Sequence, residues 1–172
     1  RIERLLADTI DVSLIRVEEA ISLDGDGTND LHTLLGFAEL KDLVPVQPHG
    51  VLATTEKFEQ EHGEALHRLT RGMIRASRAL NDDFEAFRKT FDHHVTIPVS
   101  DAEIRAIWER ESSSDSFAVN GELTREHWLQ QFALFYELNP QLERVCREEV
   151  IAEEFVAAAL DGLGAVEGSD AP

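Results

Sequence analysis

A single cysteine, Cys146, among 172 residues removes two kinds of architecture at once. No internal disulfide can form, and no cysteine-based zinc cage can be assembled. Cys146 itself stands between charged residues in a helical pattern, where a lone thiol acts as a small neutral filler. No apolar run approaches the ~20 residues that a membrane-spanning helix needs, so no transmembrane segment is expected. Basic residues are scarce, 16 against 34 acidic ones for a formal charge of −18. Phosphate backbones and anionic membrane surfaces are repelled by that balance, which argues against nucleic acid as a partner. The chain also has no glycine-rich phosphate loop, no nucleophile elbow and no His-Glu-x-x-His. No catalytic residue, metal ligand or cofactor is therefore expected.

Two features imitate metal sites and fail as such. The stretch Asp24-Gly-Asp-Gly-Thr-Asn-Asp has the alternating acids of a calcium loop, but Leu35 stands where a closing glutamate is needed, so a polar turn is the better account. His93 and His94 are adjacent, with no third ligand at helical spacing, and His62 and His67 are five apart, which turns them away from each other. The acids are spread along helix faces and form no cluster of their own. The chain begins at Arg1 with no methionine and no charged-then-apolar leader, and it is read as a processed or excised product.

What is present is 42% apolar residues, enough to build the core of one domain. Ile2, Leu5 and Leu6 predict a short amphipathic helix that stops at Asp8. The run from 11 to 17 predicts a buried strand with Arg16 and Glu18 at its far end, facing either a ligand crevice or solvent as an ion pair. A second strand is expected over 31–35. Gln47-Pro-His-Gly then leads into Val51, Leu52 and Ala53, a third strand, with His49 just ahead of it. Thr54 or Thr55 caps a helix starting near Glu56, Gly63 interrupts it, and Leu66, Leu69, Met73, Ala76 and Leu80 form the stripe expected to be buried.

From there the pattern is helical to the end. Phe84, Phe87 and Phe91 mark one helix, closed before Pro98. Ser100-Asp-Ala-Glu103 is a capping box and the most secure helix start in the chain. Phe117-Ala-Val adds a brief extended segment, and Thr124 caps a helix through Trp128 and Phe132 that stops before Pro140. A last helix carries Val150, Ile151, Phe155 and Ala158 or Ala159, stopped by Gly162 and Gly164. No internal repeat is visible.

Taken together, Leu6 to Val17, Pro48-His-Gly-Val-Leu-Ala-Thr-Thr-Glu-Lys-Phe, Gly121-Glu-Leu-Thr-Arg-Glu-His-Trp and Val150-Ile-Ala-Glu-Glu-Phe-Val resemble the C-terminal half of the substrate-binding proteins of nitrate, sulfonate and taurine ABC transporters. The thiamine-pyrimidine synthase-like proteins share that pattern. Gly63 departs from it, since the family commonly has a proline before the long helix. The resemblance implies an α/β, periplasmic-binding-protein-like (type II) partial fold: a short mixed sheet followed by a predominantly helical two-thirds. It divides the chain into a partial α/β lobe over 1–55, a helical remainder over 56–165 and a disordered tail over 166–172.

The same resemblance implies a small organic or anionic ligand held by Arg16, Glu18, His49 and Thr54, with the fork of Arg16 pairing a carboxylate or sulfonate. It implies a transporter permease as partner, a second chain or copy completing the fold, and a periplasmic or extracellular location, soluble or anchored. Two alternatives stand beside it. One is a cytoplasmic enzyme on the same scaffold, such as a sulfinate desulfinase, with its nucleophile in the half not seen here. The other is a helical interaction module, which predicts no strand content and an exposed apolar patch.

Overall fold

In the computed structural model, residues 2–15, 19–20, 23, 31–32, 34, 51–95, 99–113, 116–121 and 123–167 are described. Seven helices follow one another there: α1 (Ile2–Leu6), α2 (Glu56–Asp82), α3 (Phe84–His94), α4 (Asp101–Ser113), α5 (Arg125–Leu138), α6 (Arg147–Val150) and α7 (Glu153–Leu163). The fold turns on α2, against which α3, α4 and α7 all pack.

The local chemistry explains where these helices begin and end. Thr55 accepts a hydrogen bond from the Phe58 amide at 3.2 Å, filling one of the free donors of the first turn of α2. His62 has non-helical backbone angles (φ −135°, ψ 23°), so α2 breaks one residue before Gly63, where the sequence predicts an interruption. At the other end Asp83 plays two parts. Its amide closes α2 on the Ala79 carbonyl, and its carboxylate accepts from the Glu85 and Ala86 amides to open α3. A single extended residue therefore makes the corner. Asp8 takes a positive φ of 52° and ends α1, and Thr124 caps α5 by accepting from the His127 amide at 3.1 Å.

The expected capping box forms at α4. Ser100 Oγ accepts from the Glu103 amide, and the Glu103 carboxylate accepts from the Ser100 amide at 2.7 Å and from its hydroxyl. These bonds to Ser100 hold the Glu103 carboxyl below the usual carboxylate range. The stability they contribute is present above the ordinary glutamate value and is lost as pH falls through the depressed one. Ser100→Ala is expected to lower the melting temperature at neutral pH by more than it does in acid, where Glu103 is protonated; melting curves of both proteins across pH 2–7 check this.

The interior is small and built from few side chains. Leu66 and Ile74 of α2, Ile104 and Ile107 of α4, Val119, Trp128 of α5, and Phe155 and Ala159 of α7 are buried. Phe84 meets Trp108 edge-on at 5.6 Å, and Phe87 meets Phe117 edge-on at 6.1 Å, which fastens α3 to α4 and to the turn beyond it. Arg105 lies over the Phe84 ring at 3.8 Å, Trp108 Nε1 donates to the Leu80 carbonyl at 2.8 Å, and Arg88 pairs with Asp101 at 2.9 Å. On α5, Trp128 stacks on Phe132 with centroids 3.9 Å apart, and the Tyr136 hydroxyl accepts from the Val145 amide.

A polar knot joins three distant parts of the chain. Arg78 Nε donates to the Val119 carbonyl at 2.7 Å, and its Nη2 donates to the Gly164 carbonyl at 2.6 Å and to Asn120 Oδ1 at 3.1 Å. Nη1 reaches the Leu163 carbonyl at 3.4 Å. Asn120 is fully buried; its Nδ2 donates to the Val166 carbonyl, and its Oδ1 also accepts from the Val166 amide. The guanidinium thus satisfies carbonyls left over at the end of α7, where no intrahelical donor remains. Next to the knot Gly121 has φ +72°, and a Cβ there would stand 3.1 Å from Val156 Cγ1 and 3.3 Å from Ile74 Cδ1. Gly121→Ala is expected to cost about 2 kcal/mol from left-handed backbone strain and crowding together, read as a shift in the urea midpoint.

The α/β expectation is corrected by this structure: the described residues are helical, and no strand or sheet occurs among them. Residues 11–15 and 51–55 are irregular, with Val12 67%, Leu14 82%, Val51 67% and Leu52 55% exposed. The physical reason is pairing. A strand is defined by hydrogen bonds to a neighbour, and these short apolar runs meet none among the described residues. The buried stripe of α2 is also rotated from its expected position. Leu66 is buried as expected, but Leu69 and Met73 are 46% and 49% exposed and Ala76 is exposed as well, while Ile74 carries the contact instead.

Candidate functional site: the outer face of α2

Of the four residues expected to hold a ligand, Arg16, Glu18 and His49 lie outside the described residues. Thr54 is exposed in irregular backbone, one residue ahead of the Thr55 cap. The described residues therefore do not bring the expected set together. His93 and His94 meet ring to ring at 4.7 Å, and among the described residues no group of three His, Cys, Asp or Glu side chains is placed to hold a metal. Cys146 is exposed and precedes α6.

The structure exposes Leu69, Met73 and Ala76, which the sequence stripe predicts to be buried. With about 100° per residue, the buried side of α2 runs through Gly63, Leu66, Thr70, Ile74 and Ser77, and α7, α3 and α4 lie against this helix. Roughly a third of a turn away lie Leu69 and Met73, large apolar side chains that are 46% and 49% exposed. On the other flank Arg68, Arg71 and Arg75 follow at three- and four-residue steps, all exposed. Between the two rows stand Ala65, Gly72, Ala76 and Ala79, exposed and small, and a Cβ at Gly72 would meet nothing within 4 Å.

The charges on this face are not used internally. Arg68, Arg71 and Arg75 form no ion pair among the described residues, although acids outnumber bases two to one in the chain. Glu64 is four residues before Arg68 without pairing with it, and Glu61 is turned to Lys57 at 4.0 Å. Arg71 alone has a neighbour across the fold, its guanidinium lying near Gly162 of α7. The three-and-four-residue spacing of these arginines was the signal in the sequence that marks the face.

Two arginines of the α5–α7 region are committed to internal contacts. Arg147 is 7% exposed, donates to the Leu123 carbonyl at 2.9 Å and pairs with Glu153. Arg125 pairs with Glu148 at 2.6 Å. The Glu148 carboxyl is held below its ordinary range, first by a backbone amide and then by the charges of Arg125 and Arg147. These contacts tie α5, α6 and α7 together.

No protein-family model matches this chain, and neither does any curated protein or any solved structure.

Proposed function

We propose that the chain is the helical part of a solute-binding component that delivers a small organic or anionic ligand of the sulfonate, nitrate or pyrimidine type to a transporter. What supports the reading is where the helices begin. The Thr55 cap, the break at His62, the Thr124 cap after Gly121 and the Phe155 helix all fall in or beside the segments that carry the resemblance. A transporter permease and a periplasmic or extracellular location belong to the same proposal. A thermal-shift screen of the protein at full length against sulfonates, nitrate, nucleobases and pyrimidines tests it. A true ligand at about 100 times its Kd adds about 2.7 kcal/mol and raises the melting temperature by several degrees. If none of these compounds raises it, the reading is wrong.

A second reading, a helical interaction module, is favoured by one observation: the described residues contain no strand and expose Leu69 and Met73 along a 27-residue helix. Circular dichroism separates the two. The module predicts a purely helical spectrum for the protein at full length, whereas a solute-binding component completed by further chain predicts a strand contribution.

A further inference from the structure

We infer that the outer face of α2 is a docking surface for an acidic amphipathic helix of another protein. The inference stands whether or not the chain serves a transporter, because it rests on this face alone. Three properties of the face point to one kind of occupant.

Shape comes first. Beyond the His62 break, Ala65, Gly72, Ala76 and Ala79 form a row of small exposed residues along α2, flanked by Leu69 and Met73 on one side and by Arg68, Arg71 and Arg75 on the other. Small residues let a helix backbone approach closely, and the open space beside Gly72 keeps the row unobstructed. From Ala65 to Ala79 the face runs 15 residues, roughly 20 Å at 1.5 Å per residue, all beyond the His62 break. That run matches a partner helix of about four turns.

Apolar content comes second. Leu69 and Met73 are one turn apart and half exposed, so an apolar row on the incoming helix removes both from water. Met73 is the only methionine in the chain, and its unbranched, polarisable side chain adapts to whatever packs on it.

Charge decides the class of partner. A chain of net charge −18 carries here three exposed arginines with no ion pair among the described residues. Guanidinium groups reach carboxylates bidentately, and a glutamate row along the flank of the docked helix places an acid beside each. A basic helix meets repulsion from the three guanidinium groups, and a neutral one gains no ion pair from them. An anionic lipid surface presents the same charge but also faces the whole molecule's −18, spread over every other side. The local row is short enough to guide a helix and too small to hold the whole molecule on a membrane.

The test uses the full chain and two synthetic helical peptides of about 18 residues, long enough to be helical when bound. Both carry leucines at three- and four-residue steps; one has glutamate and the other lysine at the flanking positions. Fluorescence anisotropy is expected to show the glutamate peptide binding, more weakly as salt is raised, and at least about tenfold tighter than the lysine peptide. Arg68→Glu with Arg75→Glu is expected to abolish the preference, and Leu69→Ser with Met73→Ser to weaken both peptides. All four positions are exposed, so unchanged circular dichroism separates loss of docking from loss of fold. Equal binding of the two peptides, no binding of the glutamate peptide, or tighter attachment to phosphatidylserine vesicles than to that peptide would each overturn the inference.

Discussion

Arg78→Ala is expected to lower the stability of the protein by about 3 kcal/mol and its melting temperature by roughly 6–12 °C. The size follows from what the side chain leaves behind. Its guanidinium donates to the carbonyls of Val119, Leu163 and Gly164 and to Asn120 Oδ1, and no other side chain stands in its place. Alanine removes the donors and leaves the acceptors of Val119, Leu163 and Asn120 in part-buried surroundings, where each carries a desolvation cost, while the Gly164 carbonyl is exposed. Arg78→Lys is expected to recover only part of the loss, since one ammonium cannot spread over four acceptors as a planar fork does. Asn120 shares the network, so the Arg78→Ala, Asn120→Ala double variant should lose less than the two single losses added together. Denaturation followed at 222 nm gives all four quantities; additive losses would show that the two side chains act separately.

Ile74→Ala is expected to cost about 2–5 kcal/mol, measured as a fall in the urea midpoint with little change in slope. Ile74 is 2% exposed and lies between α2 and the turn at Gly121. With Leu66 it supplies the fully buried apolar contact of the longest helix, so a cavity there has few neighbours able to collapse into it. Ile74→Val removes one methyl group and should cost about 1 kcal/mol. A further consequence distinguishes packing from a general loss of stability. Ile74 Cδ1 is one of the atoms that a Cβ at Gly121 would crowd, so Ile74→Ala should soften the cost of Gly121→Ala.

The helix boundaries were legible because they depend on neighbours in sequence. Thr55, Ser100 and Thr124 each accept from an amide three residues ahead, and a three-residue relation can be read from a string of letters. The interruption at Gly63 was visible for the same reason. Which face of α2 is buried was not legible. Leu66, Leu69 and Met73 make as good a stripe as Leu66, Thr70 and Ile74, and the choice is made by α7, α3 and α4 packing from elsewhere in the chain. Strands failed at the same point. Val51-Leu52-Ala53 has strand-like composition, but a strand exists only through its partner, and composition cannot supply one.

The candidate site divides along the same line. Arg16, Glu18 and His49 rest on their places at the ends of expected strands, and all three lie outside the described residues, which hold only Thr54 of the set. The arginine row of α2 was present at regular spacing throughout, yet charged positions on a helix ordinarily mean no more than a solvated surface. What marks it out is the absence of internal ion pairs beside exposed apolar residues, and that is known only once the helix is placed.

The Arg78 knot also bears on the order in which the chain folds. Its hydrogen bonds span 41, 42, 85 and 86 residues, whereas the caps of α2, α4 and α5 span three. Bonds across such separations must close large loops before they return any stability, so the capped helices form first and the knot closes after them. Contacts made after the rate-limiting step hold the native state together without helping to reach it. Arg78→Ala is accordingly expected to quicken unfolding and leave the refolding rate nearly as it was, which stopped-flow unfolding and refolding in urea would measure.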